Sequence, residues 1–315
     1  MFLIVNSSAS SVTARNRASV EAALGAEHQL TVAETTCRDH ATSLAREAAS
    51  DGQDVVVVFG GDGTLNEAAN GLAAGGSAGI ALAPLPGGST NVFARTIGYG
   101  NNPVKAAAKL LAALRRPGNS LQRVGLGQVN GRYYLFNAGL GFDAAVVEMV
   151  EQHAALKRRL GHPLYVYATV STFTRHYDRK HPHFDLVVSG GPDGPREIKD
   201  VYFAICLKSN PYTYLGRIPL NVAPEAGLNT GITVVAFQKL GLTTILGVNM
   251  AAMTGRGGPR LAKRRHIAYQ SNVSSIQARA HGTFKCQMDG EFLGDQATAD
   301  VSFHPNVLSL VVPPA

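Results

Sequence analysis

The feature that most constrains this chain is the run Gly60-Gly61-Asp62-Gly63-Thr64, which directly follows the stretch 54–59, apolar from Val55 onward. The four consecutive valines at 55–58 are typical of a strand buried on both faces. Residues 65–70 then predict the start of a helix. Backbone N–H groups in such a glycine loop, together with the helix dipole, favour a bound phosphate. The run matches neither GxxxxGK[ST] nor GxGxxG, so neither of those nucleotide motifs applies.

An acidic residue inside this loop needs an explanation, because Asp62 would repel a bare phosphate. A Mg²⁺ ion lying between the carboxylate and the phosphates would remove that repulsion. Thr64 adds a hydroxyl that can bind the metal or donate to a phosphate. The alternative interpretation is a tight turn capped by Asp62, with no ligand at all.

A second glycine loop follows the first along the chain. Residues 79–85 predict a short strand, 86–91 read Pro-Gly-Gly-Ser-Thr-Asn, and Val92 begins another predicted helix. Two successive strand–loop–helix units place both loops at the carboxyl ends of neighbouring parallel strands. Open α/β sheets bind ligands at that edge, so the two loops are expected to form one site.

Several motifs together carry a family resemblance: GGDGTLNE at 60–67, HATSLAREA at 40–48, PLPGGSTNVFAR at 84–95, NAGLGFDA at 137–144 and DGE at 289–291. In combination they resemble the bacterial diacylglycerol kinase and lipid kinase family, whose eukaryotic relatives include sphingosine and ceramide kinases. GGDGT alone is also shared with NAD kinases, so the combination is the more specific signal.

The expected fold has two domains. Strands and helices alternate up to about residue 122, whereas short strands separated by Gly and Pro turns dominate afterwards, with one helical insertion predicted at 144–175. The resemblance implies a doubly wound α/β nucleotide-binding domain of the NAD kinase and phosphofructokinase type at 1–122. The last strand, about 303–315, would complete it. Residues 123–302 would form a β-rich lipid-substrate domain, a β-sandwich.

The resemblance also implies which residues contact ATP. Ser89 stands where the family usually has threonine, and it keeps the hydroxyl. For Thr35 a solvated turn residue is the equally weighted alternative. The residues expected to bind the nucleotide are Asn6, Thr35, Gly60, Gly61, Asp62, Gly63, Thr64, Leu65, Asn66, Gly88, Ser89, Thr90 and Asn91, with Asp62 as the Mg²⁺ ligand.

Catalysis is expected at Asp289-Gly290-Glu291, together with Asp62. Phosphoryl transfer to an alcohol needs a group that accepts the hydroxyl proton, and a carboxylate can do so. The resemblance implies that the base lies in this tripeptide. The sequence does not separate Asp289 from Glu291: one would be the base, with Glu291 slightly favoured, and the other would orient the site or bind Mg²⁺. The alternative is an Asp-Gly hairpin turn with a solvated glutamate.

Asp143 lies in the same motif as Asn137, Gly139 and Gly141. It is expected either to position Mg²⁺ or the acceptor, or simply to act as the N-cap of a helix that begins at Ala144. A departure from the family occurs at 228–232, where Thr230 replaces an aspartate that helps many bacterial members to hold a second, structural Mg²⁺. Because a hydroxyl is a weaker ligand than a carboxylate, this second metal is expected to be absent or weakly bound.

The net charge of +7 indicates an anionic partner. Basic residues at 157–159 and 256–265, the latter following the apolar stretch 240–253, predict docking on anionic lipid headgroups; a solvated charged face is the alternative. No nucleic-acid motif accompanies the charge. Residues 1–6 read as a strand rather than a signal peptide, and no apolar run is long enough to span a bilayer. The three widely spaced cysteines indicate a reducing compartment.

The sequence therefore predicts an ATP- and Mg²⁺-dependent lipid kinase, cytoplasmic and peripheral at the inner membrane face. It would transfer the γ-phosphate of ATP to a lipid hydroxyl, with diacylglycerol as the leading acceptor and phosphatidic acid as the product. Two alternatives stay open: an NAD kinase-like enzyme, and a non-catalytic lipid-binding protein of the same fold. A homodimer is also left open.

Overall fold

The computed structural model describes residues 1–74, 79–153, 162–255 and 257–313. Contacts within the chain divide it into two compact units. Unit 1 comprises Met1–Gly125 and Pro305–Ala315, and unit 2 comprises Leu126–His304. Among the described residues, no helix combines the length and the apolar character that crossing a bilayer requires.

Unit 1 alternates strands and helices along the chain. Its elements are β1 (Phe2–Val5), α1 (Ala14–Gly25), β2 (Thr31–Glu34), α2 (His40–Ser50), β3 (Val55–Gly60), α3 (Asp62–Ala74), β4 (Ala81–Pro86), α4 (Val92–Thr96), α5 (Pro103–Leu114) and α6 (Pro117–Ser120), followed by the start of β5 (Leu121–Val129) and, from the far end of the chain, the last part of β16 (Glu291–Val311).

The strands of unit 1 form a parallel sheet in the order β16–β4–β3–β1–β2. The helices pack in two separate pairs, α1 with α5 and α2 with α3, as in a doubly wound sheet. Ser309 and Leu310 pair with Ala81 and Leu82, so the last strand completes this sheet as the sequence predicts. Every residue of β3 and β4 is buried, because helices cover a parallel sheet on both faces.

The start of α2 is held by a carboxylate from another helix. Asp39 precedes α2, but it adopts a left-handed φ of 62° and its side chain caps nothing. The N–H of Ala41 instead donates to Oε2 of Glu67 at 3.2 Å, so the carboxylate at the start of α2 comes from α3.

Unit 2 is mostly β-structure. After β5 its elements are β6 (Arg132–Tyr134), β7 (Asn137–Gly141), α7 (Phe142–Gln152), α8 (His162–Ser171) with a π-helical turn at Thr172–His176, β8 (Phe184–Ser189), β9 (Arg196–Val201), β10 (Phe203–Leu207), β11 (Thr213–Leu215), β12 (Ile218–Leu220), β13 (Ile232–Phe237), α9 (Leu242–Met253), α10 (Gly257–Ala262), β14 (Ile267–Val273), β15 (Ser275–Met288) and the first part of β16.

The long strand β15 organises this unit. Its first half pairs with β8 and its second half with β7, while β16 runs along it on the other side. The antiparallel order β14–β13–β10–β7 continues from that second half. Apolar residues of both groups of strands, among them Leu140, Leu186, Ile198 and Val234, share one buried core. The prediction of an α/β domain followed by a β-rich domain is confirmed.

The predicted helical insertion at 144–175 is only partly right. α7 begins two residues earlier, at Phe142, and α8 with its π-helical turn ends at His176. The basic residues Lys157, Arg158 and Arg159 lie outside the described residues, as does Arg256.

Candidate active site

The segments predicted to bind a nucleotide meet at one edge of the unit 1 sheet. Asn6 follows β1, and its N–H donates to the carbonyl of Phe59 at 3.0 Å. Thr35 follows β2, and its N–H donates to the carbonyl of Val5 at 2.9 Å. The two glycine loops follow β3 and β4, whose last residues, Gly60 and Pro86, are paired. All four segments therefore lie at the carboxyl ends of parallel strands, as expected for a ligand site in this fold.

The glycines let the two loops pack backbone against backbone. A Cβ atom on Gly87 would lie 2.8 Å from Cα of Gly60, and one on Gly88 would lie 2.9 Å from Cα of Gly61. The N–H of Gly87 donates to the carbonyl of Gly60 at 2.8 Å. Gly63 differs, because a Cβ there would have nothing within 4 Å. Loop–loop contact thus explains Gly87 and Gly88, whereas the surface around Gly63 is open.

Asp62 joins the two loops. Its carboxylate accepts the backbone N–H groups of Val92, at 2.9 Å, and Phe93, at 3.1 Å. These are the first residues of α4, where unpaired N–H groups and the helix dipole favour an anion. The acid in the loop therefore has a structural reason that requires no metal, which corrects the argument from phosphate repulsion alone.

Three predicted nucleotide contacts lie beneath the loop surface. Thr64 is 7% exposed, and its hydroxyl accepts from Nδ2 of Asn6 at 2.8 Å. Leu65 and Asn66 are 3% and 2% exposed, and Asn66 accepts from the Asn70 amide. Leu65 and Asn66 belong to the buried face of α3, and their contact with a nucleotide stays a prediction.

Asn91 supports the second loop. It adopts a left-handed φ of 50°, and its amide both accepts from the N–H of Gly88 at 2.7 Å and donates to the carbonyl of Gly88 at 2.8 Å. Ser89 is exposed and Thr90 is half-buried. The surface that the two loops present therefore includes the exposed Gly63 and Ser89 and the half-buried Gly61 and Thr90, with two hydroxyls.

In unit 2, the Asp289-Gly290 pair forms the turn between β15 and β16. Both residues have positive φ, 49° and 80°, as in a two-residue type I′ hairpin. The hairpin alternative is therefore correct for the backbone. It is wrong for the side chains, because neither carboxylate is simply solvated.

Asp289 is 6% exposed, and its carboxylate accepts three backbone N–H groups: Leu135 at 2.7 Å, Phe136 at 2.9 Å and Asn137 at 3.1 Å. These donors lie where the chain passes from β6 into β7. Because its oxygens are occupied by neutral backbone donors, Asp289 holds this connection in place. Its role is that of a positioning residue.

Glu291 faces Arg132, on β6. Nη2 of Arg132 lies 2.5 Å from Oε2 and Nη1 lies 3.2 Å from Oε1, a bidentate pair. The Glu291 side chain is 17% exposed and that of Arg132 is 31% exposed. Both carboxylates of the tripeptide thus face residues 132–137, but Glu291 lies nearer the surface.

Asp143 is not a helix cap, because α7 begins before it at Phe142. Its carboxylate accepts from the hydroxyl of Tyr212 and from Nε2 of Gln287, the latter at 2.7 Å. Burial raises the pKa of Asp143, while these two hydrogen bonds act in the opposite direction. A Cβ on Gly139 would lie 1.9 Å from Oδ2, so only glycine fits beside this carboxyl group.

Gln287 is the residue that sequence reasoning missed. Its Nε2 donates to Oδ1 of Asn137 at 2.9 Å as well as to Asp143, and its Oε1 accepts the N–H of Gly290 at 2.9 Å. It therefore ties the Asp289-Gly290 turn to the Asn137–Asp143 motif. The sequence signal for Gln287 was a glutamine in an apolar strand just before Asp289-Gly290-Glu291. In the structure its side chain is 1% exposed. Tyr212 and Arg132 lie in no motif and carried no such signal.

The stretch around Thr230 lacks a carboxylate but contains a buried cation. The Thr230 hydroxyl donates to the carbonyl of Gly227 at 3.0 Å. Nζ of Lys208 donates to the carbonyls of Gly227 and Leu228 at 2.7 and 2.8 Å. Lys208 has no exposed surface, and burial lowers its pKa to about 7. Among the described residues, no group of three or more His, Cys, Asp and Glu could hold a metal. The absence of a second metal stays a prediction.

Comparisons with known proteins agree with this geometry. Residues 1–122 match the diacylglycerol kinase catalytic domain family. The chain is 27% identical to the diacylglycerol kinase of Bacillus subtilis over 268 residues, which are 82% of this chain and 78% of that protein. It is 36% identical to a protein of Pseudomonas aeruginosa named as a YegS-like lipid kinase, over 159 residues that span about half of each chain, 50% and 49%.

A crystal structure of a candidate diacylglycerol kinase from Bacillus anthracis shares the fold, with a TM-score of 0.75 at 23% identity over 99% of this chain and 95% of that one. The family match and the names of these relatives support a kinase of the lipid kinase class. The resemblance drawn from the motifs is confirmed by residues 1–122, which match the diacylglycerol kinase catalytic domain family.

Proposed function

We propose that this protein is an ATP- and Mg²⁺-dependent lipid kinase that phosphorylates a lipid hydroxyl, with diacylglycerol as the leading acceptor. The observation that carries the proposal is the surface of the two glycine loops inside the matched domain. The start of α3 at Asp62 and the exposed residues Gly63 and Ser89 suit the phosphates of ATP.

Mg²⁺ fits this site only in the manner usual for that ion, with few protein ligands and with phosphates and water completing its shell. Asp62 is the acidic residue of the loop, and both its oxygens already accept from α4. It would hold the metal through remaining lone pairs. When bound, Mg²⁺ would neutralise charge on the transferring phosphates.

Glu291 is proposed as the general base. Its carboxylate would accept the proton of the lipid hydroxyl while the hydroxyl oxygen attacks the γ-phosphorus and ADP leaves. The pair with Arg132 fixes the position of this carboxylate, and Asp289 and Gln287 fix the turn that carries it. This division of roles rests on Asp289 being occupied by three backbone donors.

The test is to incubate the protein with γ-labelled ATP, Mg²⁺ and a total bacterial lipid extract in mixed micelles, with NAD as acceptor in a parallel reaction. We expect label in the chloroform phase that migrates with phosphatidic acid. Glu291→Gln should lose this activity, whereas Glu197→Gln, an exposed glutamate of β9, should keep it. Labelled NADP without labelled lipid would contradict the proposal in favour of an NAD kinase. ATP binding without any transfer would favour a non-catalytic binder.

A further inference from the structure

One surface of unit 2 exposes large apolar side chains from two neighbouring elements. Met250 and Met253 on α9 are 63% and 41% exposed. Leu215 and Ile218, in the β11–β12 hairpin, are 38% and 44% exposed. Isolated exposed apolar residues are ordinary, but a group of them from adjacent elements marks an interaction site. These four residues are called the apolar platform below.

The two elements are in direct contact, so the platform is one surface. The N–H of Asn221, just after β12, donates to the carbonyl of Ala252 near the end of α9 at 3.0 Å. The opposite side of α9 is already buried, since Ala251 and Ala252 belong to the core. Packing within unit 2 therefore does not require the outward-facing methionines.

Positive charge surrounds this platform. Arg217 is exposed at the tip of the hairpin, between Leu215 and Ile218. Arg264 lies against α9, because a Cβ on Gly247 would be 2.5 Å from its Nη2. Arg260, Lys263 and Arg265 are exposed in the same segment. These five residues form the basic rim.

Basic residues outnumber acidic ones in this region. No Asp or Glu occurs between Ala226 and Met288, whereas this stretch contains eight Lys and Arg residues. The exposed Glu225 lies against Gly258 and accepts from the hydroxyl of Tyr269. α9 itself has no charged residue. A solvated charged face would mix both signs and would not place methionines at its centre, so the alternative from sequence explains this surface poorly.

We propose that the apolar platform and the basic rim bind the surface of an anionic lipid bilayer, with the platform entering the headgroup region and the rim contacting the headgroups. This inference rests on the proposed function, since it gives a lipid kinase its route to a substrate that stays in the membrane. A second copy of the chain would match the apolar residues but not five like charges, which would repel across a symmetric contact.

The test uses vesicle sedimentation without nucleotide, so that its outcome is independent of catalysis. Phosphatidylcholine vesicles are compared with vesicles that also contain phosphatidylglycerol. We expect binding only to the anionic vesicles, weakening with salt. Lys263→Ala with Arg265→Ala should lower the partition coefficient by about 25-fold, about fivefold per basic residue. Met250→Ser with Met253→Ser should lower it by about tenfold.

Matched controls come from unit 1. Arg15→Ala with Arg46→Ala removes two exposed arginines, and Val104→Ser removes a side chain that is 40% exposed. Both should bind vesicles as the unmodified protein does. Equal unfolding midpoints would show that the platform and rim variants are folded. The proposal fails if the protein binds neutral vesicles equally, if it binds neither kind, or if the platform variants bind normally while changing the mass of the protein in solution. Kinase activity on a short-chain, water-dispersed lipid would survive each of those results.

Discussion

Asp62 in unit 1 and Asp289 in unit 2 each hold a neighbouring segment of the chain, but they differ in how deeply they are buried. Both are motif carboxylates, and both accept backbone N–H groups from a neighbouring segment. Asp289 accepts three and is 6% exposed, whereas Asp62 accepts two and is half-buried beside the exposed Gly63. The difference indicates that Asp289 serves the fold, while Asp62 combines holding α4 with a position at the ligand surface.

The largest effect on the free energy of unfolding is expected for Asp289→Asn. An asparagine oxygen cannot accept all three N–H groups, and its own N–H₂ would face buried donors. Loss of charged hydrogen bonds should cost about 2–4 kcal/mol. The measurement is the denaturant midpoint for unfolding of unit 2. It is followed by circular dichroism or by tyrosine fluorescence, since the chain has no tryptophan. Asp193→Asn, at an exposed position, should leave that midpoint unchanged.

Asp62→Asn should cost less stability, about 1–2 kcal/mol, because Asp62 is half-buried and water can partly replace the acceptor lost at the start of α4. Its effect on turnover should be the larger of the two, and should persist at temperatures where the variant is fully folded. Asp39→Asn is the matched control, since that exposed residue caps nothing. If Asp289→Asn, once folded, loses as much turnover as Asp62→Asn, the division between the two carboxylates is wrong.

The sequence predicted where these carboxylates lie better than what they do. Four valines and a glycine pair sufficed to place Asp62 at the end of a parallel strand, and an alternating strand placed Asp289 in a turn. The bonding partners could not be predicted, because Val92 lies 30 residues from Asp62 and Leu135 lies 154 residues from Asp289. Such contacts depend on tertiary packing, which a local pattern does not contain. Lys208 shows the same limit, since a lone lysine just after an apolar strand belongs to no motif.

Lys208 is the cationic counterpart of these two carboxylates, because it donates to two backbone carbonyls and has no exposed surface. Lys208→Met should cost about 1 kcal/mol at neutral pH, since lost hydrogen bonds are partly offset by removing a buried charge. Burial lowers the pKa from 10.5 to about 7. Between those values the folded state binds fewer protons than the unfolded state, so stability should rise with pH.

The measurement is the difference in unfolding free energy between the unmodified protein and Lys208→Met from pH 6 to pH 10. The difference should be flat below about pH 7 and should grow above it in favour of the unmodified protein. A flat difference over the whole range would mean that the two carbonyls outweigh burial and keep the lysine charged. Lys199→Met, at an exposed lysine of β9, provides the control for surface charge.

Glu291→Gln should change stability least among the charged residues discussed so far, by less than about 1 kcal/mol, because its pair with Arg132 is partly exposed. Turnover should nevertheless fall by a factor of about 10²–10⁴, the usual contribution of a general base. Arg132→Gln separates the two roles, since it removes the partner but keeps the carboxylate. If Arg132→Gln lowers turnover as far as Glu291→Gln does, positioning rather than proton transfer explains the loss.

Removal of divalent metal should leave the unfolding midpoint of unit 2 unchanged in the absence of nucleotide, because Lys208 and Thr230 occupy the carbonyl of Gly227. A chelator titration followed by circular dichroism measures this. The sharper experiment reverses the charges: Lys208→Met with Thr230→Asp replaces the ammonium with a carboxylate beside free carbonyls. We expect that variant to be stabilised by millimolar Mg²⁺ through mass action. A midpoint that changes when chelator is added to the unmodified protein would show that a metal binds despite the missing aspartate. Lys208 would then share the stabilisation of this segment with a bound metal ion.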